Sequence, residues 1–170
     1  YSIIDEDGNA VSNTYTLGYS FGSGVTIPGT GILLNNQMNN FAYQYGNSEV
    51  IDRSASIGNR FEPGKRPMST MTPIILFDEN NELKLVTGSP GGALIPAAVL
   101  RVITGVIDFN LNLGEATMLP RLHKDWPYKN LRLEKGFSKD TLQILESYGH
   151  ELEESKTMGS TQSILISPKG

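Results

Sequence analysis

The stretch Gly88-Ser89-Pro90-Gly91-Gly92 decides the fold, because it joins a predicted strand to a predicted helix. Residues 83–87 form an apolar strand pattern, and residues 97–109 carry apolar side chains at helical spacing. Glycines let a backbone approach a ligand closely, and free N–H groups at a helix entrance attract negative charge. The junction could therefore hold an anion or a developing oxyanion, although a tight turn packed under a helix would have the same sequence. Its spacing matches neither a Walker loop nor a dinucleotide-binding fingerprint.

Upstream of this junction the sequence predicts hairpins. Residues 73–77 and 83–87 are apolar runs that flank a polar turn, as in a hairpin. Asp7-Gly8 is a strong turn signal between a strand that begins at Tyr1 and a longer strand at residues 10–17. A short buried strand is expected at residues 31–34. A fold rarely begins in mid-strand, so we expect a missing upstream part, a proteolytic start or an arbitrary boundary.

Downstream of the junction the sequence predicts two further helices and three short strands. The helices are expected at residues 114–118 and 139–148, the second with Ser138 as N-cap and Gly149 as its stop. The strands are expected at residues 131–135, 151–155 and 163–167. Strands, helices and strands in that order, with hairpin connections, predict an α+β fold with antiparallel sheet, and residues 1–170 are predicted to form a single domain.

The composition excludes several classes of protein. The chain has 170 residues, a formal net charge of −4, 38% hydrophobic residues and no cysteine. The charge gives little reason to expect a nucleic-acid partner, and no apolar run approaches the roughly 20 residues of a transmembrane segment. Without cysteine there is no disulfide scaffold, Cys-ligated zinc or thiol nucleophile. The two histidines lie far apart in sequence, so we predict no metal site.

Two polar segments are candidates for binding. Arg66 with Ser69 and Thr70 could hold a carboxylate, although a loop that enters a strand would read the same way. Residues 35–40 are rich in amides, which form turns and also suit the recognition of small molecules. The sequence has no Gly-x-Ser-x-Gly elbow and no clear general base. Residue chemistry alone therefore identifies no nucleophile.

Taken together, the motifs resemble the small, C-terminal subunit of the γ-glutamyltranspeptidase family over almost the whole chain. Gly88-Ser89-Pro90-Gly91-Gly92 is the most specific match. The other matching segments, in chain order, are Tyr1-Ser2, Asp7-Gly8-Asn9-Ala10-Val11, Thr14-Tyr15-Thr16, Gly31-Ile32-Leu33-Leu34-Asn35-Asn36-Gln37-Met38, Lys65-Arg66-Pro67-Met68-Ser69-Thr70-Met71, Glu115-Ala116-Thr117, Pro120-Arg121, Glu134-Lys135-Gly136-Phe137-Ser138 and Met158-Gly159-Ser160-Thr161-Gln162-Ser163.

This resemblance implies an N-terminal-nucleophile hydrolase, whose αββα sandwich is shared by two subunits. A precursor of this family cleaves itself, and the new N-terminal threonine of the small subunit is the nucleophile. That threonine would precede Tyr1 and is not a residue of this sequence. The implied reaction is a γ-glutamyl acyl transfer in two steps, with water or an amine as the acceptor.

The resemblance also implies roles for particular residues. The backbone N–H groups of Gly91 and Gly92 would stabilise the oxyanion, and Thr16 would support the nucleophile through a hydrogen bond. Ser69 and Thr70 would hold the substrate α-carboxylate. The expected substrate-binding residues are Gln37, Asn40, Arg66, Ser69 and Thr70.

Two positions depart from the family pattern. Asn40 stands where the family commonly has an aspartate that pairs with a free α-ammonium, and Gly18 stands where many members have asparagine. Both changes would weaken recognition of a free amine. They favour poly-γ-glutamate, whose internal residues have an acylated amine, as the substrate, as for the related CapD-type capsule depolymerases. The alternatives are a glutathione hydrolase, a relative of the cephalosporin acylases, and a binding subunit or fragment without activity.

The expected partner is the large subunit from the same precursor, which would supply an arginine for the substrate carboxylate and about half of the sandwich. Its interface should be large and apolar. The expected substrates are a γ-glutamyl donor with an amine or water acceptor, and no cofactor is expected. Family members are exported, which predicts the cell surface, the periplasm or the extracellular space.

Overall fold

The computed structural model describes residues 1–41, 57–125 and 129–167. The chain divides into two compact units. The first, here called the sheet unit, comprises Tyr1–Thr14 and Thr70–Gly170, and the second, the loop unit, comprises Tyr15–Ser69. The prediction of a single domain stays a prediction.

The sheet unit contains all the regular strands and α-helices of the described residues. They are β1 (Ser2–Ile4), β2 (Ala10–Ser12), β3 (Ile74–Phe77), β4 (Leu83–Gly88), α1 (Ile95–Ile107), α2 (Leu113–Met118), β5 (Leu122–His123), β6 (Asn130–Leu133), α3 (Lys139–Ser147), β7 (Glu151–Glu154) and β8 (Gln162–Leu165). Within the described ranges these strands form three sheets, with the strand orders β1-β2, β3-β4-β8 and β5-β6-β7.

Both predicted hairpins are present. β1 pairs antiparallel with β2, and β3 with β4. β2 ends at Ser12, five residues before the predicted end. The register sets Ser2 opposite Ser12, and the Asn13 N–H donates to the carbonyl of Tyr1 at 2.9 Å.

The core lies between β4 and α1. The side chains of Leu85, Val86 and Thr87 are fully buried, and Ala98, Val99 and Val102 of α1 are at most 1% exposed. The helix begins at Ile95, two residues before the predicted start, because Pro96 fits the first turn, where its missing N–H costs no hydrogen bond. This packing holds the end of β4 and the start of α1 on either side of the glycine-rich junction.

The sheet β5-β6-β7 contains the one exception to antiparallel pairing among the described strands. β6 and β7 run parallel, with Asn130 opposite Glu151. Their connection contains α3, which provides the length that a parallel crossover needs. Ser138 caps α3 as predicted, and Asn112 with Glu115 forms a capping box at the start of α2.

The loop unit is held by turns and loop hydrogen bonds. Its described residues contain two 3₁₀ turns, Gln37–Asn40 and Ile57–Asn59, and an isolated bridge between Thr26 and Leu33. The prediction of a buried strand at residues 31–34 is wrong, because Ile32 is 57% exposed and Leu34 is 40% exposed. The segment is instead closed as a loop by two backbone bonds of 2.9 Å, from the Ile27 N–H to the Ile32 carbonyl and from the Leu34 N–H to the Val25 carbonyl.

Candidate active site

The glycine-rich junction turns sharply between β4 and α1. Gly91 has φ 141° and Gly92 has φ 58°. Residues with a Cβ rarely adopt either conformation. Both residues are exposed, whereas Ser89 just before them is 3% exposed. Within the described part of the chain neither the Gly91 N–H nor the Gly92 N–H donates a hydrogen bond. Two consecutive exposed residues of one turn therefore carry backbone donors without a partner in the described chain.

Thr70 is the predicted substrate-binding residue that lies against this loop. Its Oγ1 donates to the carbonyl of Gly92 at 2.8 Å, and Thr72 Oγ1 donates to the carbonyl of Thr70 at 2.9 Å. A hydroxyl has one proton, so the Thr70 hydroxyl tethers the loop and cannot donate to a carboxylate in the same rotamer. Rotation of the Thr70 side chain on ligand binding would free both its hydroxyl and the Gly92 carbonyl.

Ser69 and Arg66 belong to the loop unit, and both are exposed. Between them, Met68 donates its N–H to Oδ1 of Asn59 at 2.9 Å. Lys65, next to Arg66, forms an ion pair of 2.9 Å with Glu62. The Arg66–Ser69 segment is thus a surface loop whose backbone is held by an asparagine side chain.

Thr16 organises a turn within the loop unit. Its Oγ1 accepts the Gly18 N–H at 2.9 Å, and Oδ1 of Asn36 accepts the Tyr19 N–H at 2.9 Å. A Cβ at Gly18, which has φ 93°, would lie 2.0 Å from Asn36 Oδ1. The side chain expected at position 18 in many family members would therefore collide with the amide of Asn36 in this arrangement.

Gln37 and Asn40 are brought together by side-chain hydrogen bonds. Asn40 Nδ2 donates to Gln37 Oε1 at 2.8 Å, and Gln37 Nε2 donates to the carbonyl of Thr16 at 3.4 Å. Asn59 Nδ2 donates to the carbonyl of Asn40 at 2.8 Å. An aspartate at position 40 has no N–H and could not make the bond to Gln37 Oε1. The amide at position 40 is therefore built into this network.

Asn36 and Asn59 are structural supports that the sequence analysis did not single out. Asn36 lies in the amide-rich run, where composition suggested recognition but not which side chain holds the backbone. Asn59 had no local signal, because its bonds reach 9 and 19 residues along the chain. The described ranges contain no cluster of three or more metal-ligating side chains.

Two hydroxyls in and just after β2 contact the end of β4. Ser12 Oγ donates to the carbonyl of Thr87 at 2.8 Å, and Thr14 Oγ1 lies close to the backbone of Gly88. No helix in the described part of the chain combines the length and apolarity that a membrane crossing requires.

The family model and the curated relatives that match this chain point to the same family. All 170 residues match the family described as Gamma-glutamyltranspeptidase. The glutathione hydrolase proenzyme of Escherichia coli K12 is 46% identical over 170 residues, which are 100% of this chain and 29% of that protein. The chain thus spans less than a third of the length of this relative.

Solved structures share the fold. A Helicobacter pylori γ-glutamyltranspeptidase with the T380A mutation has a TM-score of 0.91 and 42% identity, over 99% of this chain and 90% of that chain. The Bacillus anthracis transpeptidase CapD has a TM-score of 0.69 and 25% identity, over 95% of this chain and 83% of that one.

The α+β fold and the structural neighbours define an N-terminal-nucleophile hydrolase fold, as predicted. The chain belongs to the γ-glutamyltranspeptidase family.

Proposed function

We propose that the protein containing this chain transfers or hydrolyses γ-glutamyl groups through an acyl-enzyme. The observation that carries the proposal is that Gly91 and Gly92, exposed and consecutive in one turn, have backbone N–H groups without a hydrogen-bond partner in the described chain. Such donors stabilise the negative oxygen of a tetrahedral intermediate, and loss of one costs about 10²–10³ in kcat in hydrolases. Family membership supports the same reaction.

The proposed nucleophile is an N-terminal threonine that lies outside these 170 residues. Its hydroxyl attacks the γ-carbonyl carbon, its α-amino group accepts the proton, and the carbonyl oxygen becomes an oxyanion against Gly91 and Gly92. Collapse of this intermediate expels the amine, which takes the proton. Water or an acceptor amine then attacks the γ-glutamyl ester and releases the threonine hydroxyl.

The remaining site residues are proposed to bind the donor substrate. Ser69 and Thr70, with Arg66 nearby in sequence, would hold the α-carboxylate, once the Thr70 hydroxyl leaves the Gly92 carbonyl. Gln37 and Asn40 would contact the α-nitrogen, and Thr16 would support the nucleophile. No cofactor or metal takes part in this scheme.

A second chain from the same precursor is the proposed partner. In the sheet unit Leu100 is 60% exposed, Phe109 is 65% and Met118 is 85%, and in the loop unit Tyr15 is 81% exposed. Large apolar side chains exposed to this extent in each unit support a partner chain that covers them. We expect the assembled heterodimer to be exported to the periplasm, the cell surface or the medium, as family members are.

Two substrate classes remain candidates. The higher identity to a glutathione hydrolase proenzyme than to CapD favours small γ-glutamyl amides such as glutathione. Asn40 favours a donor whose α-nitrogen is acylated, as inside poly-γ-glutamate, because its neutral amide cannot form an ion pair with an ammonium.

Kinetics of the assembled enzyme, made from its full precursor, test the proposed function. Release of p-nitroaniline from γ-glutamyl-p-nitroanilide and shortening of poly-γ-glutamate are measured side by side, with and without an acceptor dipeptide. Activity on either substrate supports acyl transfer, and inactivity on both, with an intact N-terminal threonine, contradicts it.

The variant Asn40→Asp separates the two substrate classes. A carboxylate restores the charge-assisted bond to a free ammonium, so we expect KM for γ-glutamyl-p-nitroanilide to fall by about 10-fold. Poly-γ-glutamate cleavage at internal bonds should not improve. An unchanged KM for the small substrate would mean that position 40 does not contact the α-nitrogen.

A further inference from the structure

The segment Met158-Gly159-Ser160, here called the 158–160 segment, has no role in the scheme above. It lies between β7 and β8, and its Met158 is 2% exposed. Gly159, in the middle of the segment, packs against Ser89 and Pro90 of the glycine-rich junction, where Ser89 is 3% exposed. A loop packed this closely against the proposed oxyanion donors can control their geometry.

The hydroxyl of Ser89 links the two segments. Ser89 Oγ accepts the Ser160 N–H at 3.0 Å and donates to the carbonyl of Pro90 at 2.7 Å. The Pro90 carbonyl and the Gly91 N–H belong to one planar peptide group, so a bond that fixes the carbonyl also fixes the direction of the N–H. It also polarises that N–H, which makes it a better donor.

The second donor is fixed in the same way by the backbone itself. The Leu94 N–H donates to the carbonyl of Gly91 at 3.1 Å. That carbonyl shares its peptide group with the Gly92 N–H. Each proposed oxyanion donor is therefore oriented through the carbonyl of its own peptide, and Ser89 is the side chain that performs this for Gly91.

The backbone of Gly159 packs directly against Ser89 and Pro90. It has φ 84°, and a Cβ at this position would lie 2.6 Å from Ser89 Oγ, 3.0 Å from Ala98 Cβ and 3.1 Å from the Pro90 carbonyl oxygen. A Cβ at Gly91 would in turn lie 3.4 Å from Gly159 Cα. The two backbones are in direct contact, so the 158–160 segment leaves the junction little freedom to move.

A buried carboxylate anchors the segment at its other end. Glu134 Oε1 accepts the Met158 N–H, and Glu134 Oε2 accepts the Arg121 N–H at 2.8 Å. The Glu134 and Arg121 side chains are 12% and 9% exposed. Hydrogen bonds to a buried charge are strong and costly to break, so the position of Met158 is well defined.

We propose that Ser89, held by the 158–160 segment, is a positioning residue that orients the Gly91 N–H toward the oxyanion. This inference rests on the proposed acyl-transfer function. Ser89 does not touch the substrate in this scheme, and it acts through the Pro90–Gly91 peptide.

The test compares Ser89→Ala with Ser163→Ala in the assembled enzyme. Ser163 Oγ bonds to the fully buried Thr87 hydroxyl at 2.7 Å, so its removal deletes a hydroxyl from the same unit without touching the junction. For Ser89→Ala we expect kcat to fall about 10-fold or more with little change in KM, because an oxyanion donor acts in the transition state. Ser163→Ala should keep the wild-type kcat. Both variants should lower Tm by a similar amount.

A tetrahedral boronate analogue of glutamate provides a readout that a purely structural role would not change. Its affinity should fall by the same factor as kcat/KM in Ser89→Ala, whereas the affinity for glutamate should be unchanged. If Ser89→Ala does not assemble, Ser89→Cys, which keeps the shape with weaker hydrogen bonds, should show the same pattern at smaller amplitude. Equal kcat and boronate affinity in wild type and variant would overturn the inference.

A measurement without turnover separates this inference from the proposed function. In ¹⁵N-glycine-labelled enzyme, the amide signal of Gly91 should shift or broaden in Ser89→Ala and stay unchanged in Ser163→Ala. An unchanged Gly91 signal in Ser89→Ala overturns the positioning role, even if the enzyme is active. A wild-type enzyme without γ-glutamyl activity overturns the function, while the Gly91 signal still decides whether Ser89 orients this peptide.

Discussion

At the scale of single residues, glycine carries the proposed chemistry because its backbone reaches conformations closed to other residues. Gly91 and Gly92 both have positive φ, and together they present two donors in one turn. Gly18 and Gly159 serve differently, since a Cβ at either would collide with an asparagine amide or with Ser89. All four have positive φ, and at Gly18 and Gly159 the lack of space for a Cβ is a second reason for glycine.

Gly92→Ala tests the oxyanion role with a closely matched control. Gly92 and Gly149 both have positive φ, 58° and 82°, and a Cβ at either would meet no atom within 4 Å. Each alanine should cost roughly 1–2 kcal/mol in left-handed backbone strain. Alanine keeps the backbone N–H, but relief of the strain would turn the Gly92 peptide away from the oxyanion. We therefore expect both variants to lose similar thermal stability, but only Gly92→Ala to lose kcat, by up to about 10²-fold, the loss that removal of one oxyanion donor causes. Equal kcat in the two variants, measured with γ-glutamyl-p-nitroanilide, would argue against the oxyanion role.

At the scale of elements, the two hairpins use the same device in their turns. Asp5 Oδ1 accepts the N–H groups of Asp7 and Asn9, and Asp78 Oδ1 accepts those of Asn80 and Glu82. These bonds favour the charged carboxylate. The side-chain bond from Asn9 most lowers the pKa of Asp5, and the backbone bond from Glu82 most lowers the pKa of Asp78.

The pH dependence of Asp78→Ala tests this turn. Because the folded pKa of Asp78 lies below its usual value of 3.8, its stabilisation is complete above that pH and is lost as the pH falls through the folded pKa. We expect Asp78→Ala to lower Tm at neutral pH and the difference from wild type to shrink below about pH 4. Glu79→Ala, an exposed carboxylate in the same turn, is the control. A Tm difference that is constant with pH would assign the loss to something other than the charge.

At the scale of the whole molecule, the chain exposes large apolar side chains in both units. They include Tyr19, Phe21, Leu100, Phe109 and Met118, all at least 60% exposed. Most of the fully buried side chains of the sheet unit lie in β4 and α1. Such a chain has a strong hydrophobic reason to assemble with a partner.

Isolation of the chain tests this expectation. Alone, it should bind a hydrophobic dye such as ANS several-fold more than the assembled enzyme does, and it should self-associate in sedimentation. Assembly with the large subunit should suppress both. A lone chain that stays monomeric and does not bind the dye would contradict an obligatory apolar interface.

Local patterns in the sequence determined the hairpin turns, the main helices with their caps, and the family. The turns and caps depend on residues within a few positions of one another, such as the Asp78 turn or Ser138 at the start of α3, and the family depends on a series of short motifs in order along the chain. The resemblance to the family also pointed to Gly91 and Gly92 as the proposed oxyanion donors. Substrate-binding roles that came from resemblance, such as that of Asn40, remain predictions.

Only the tertiary structure decided the parallel pairing of β6 with β7, the Thr70 bond to Gly92, and the Ser89 link to Ser160. The last of these joins residues 71 positions apart, and the Thr70 bond spans 22 positions. Hydrophobic periodicity and turn signals report the conformation of neighbouring residues, whereas these contacts depend on which surfaces pack together. The sequence by itself thus determined most of the elements and pointed to Gly91 and Gly92 as the proposed oxyanion donors, and the packed chain decided which contacts hold those glycines in position.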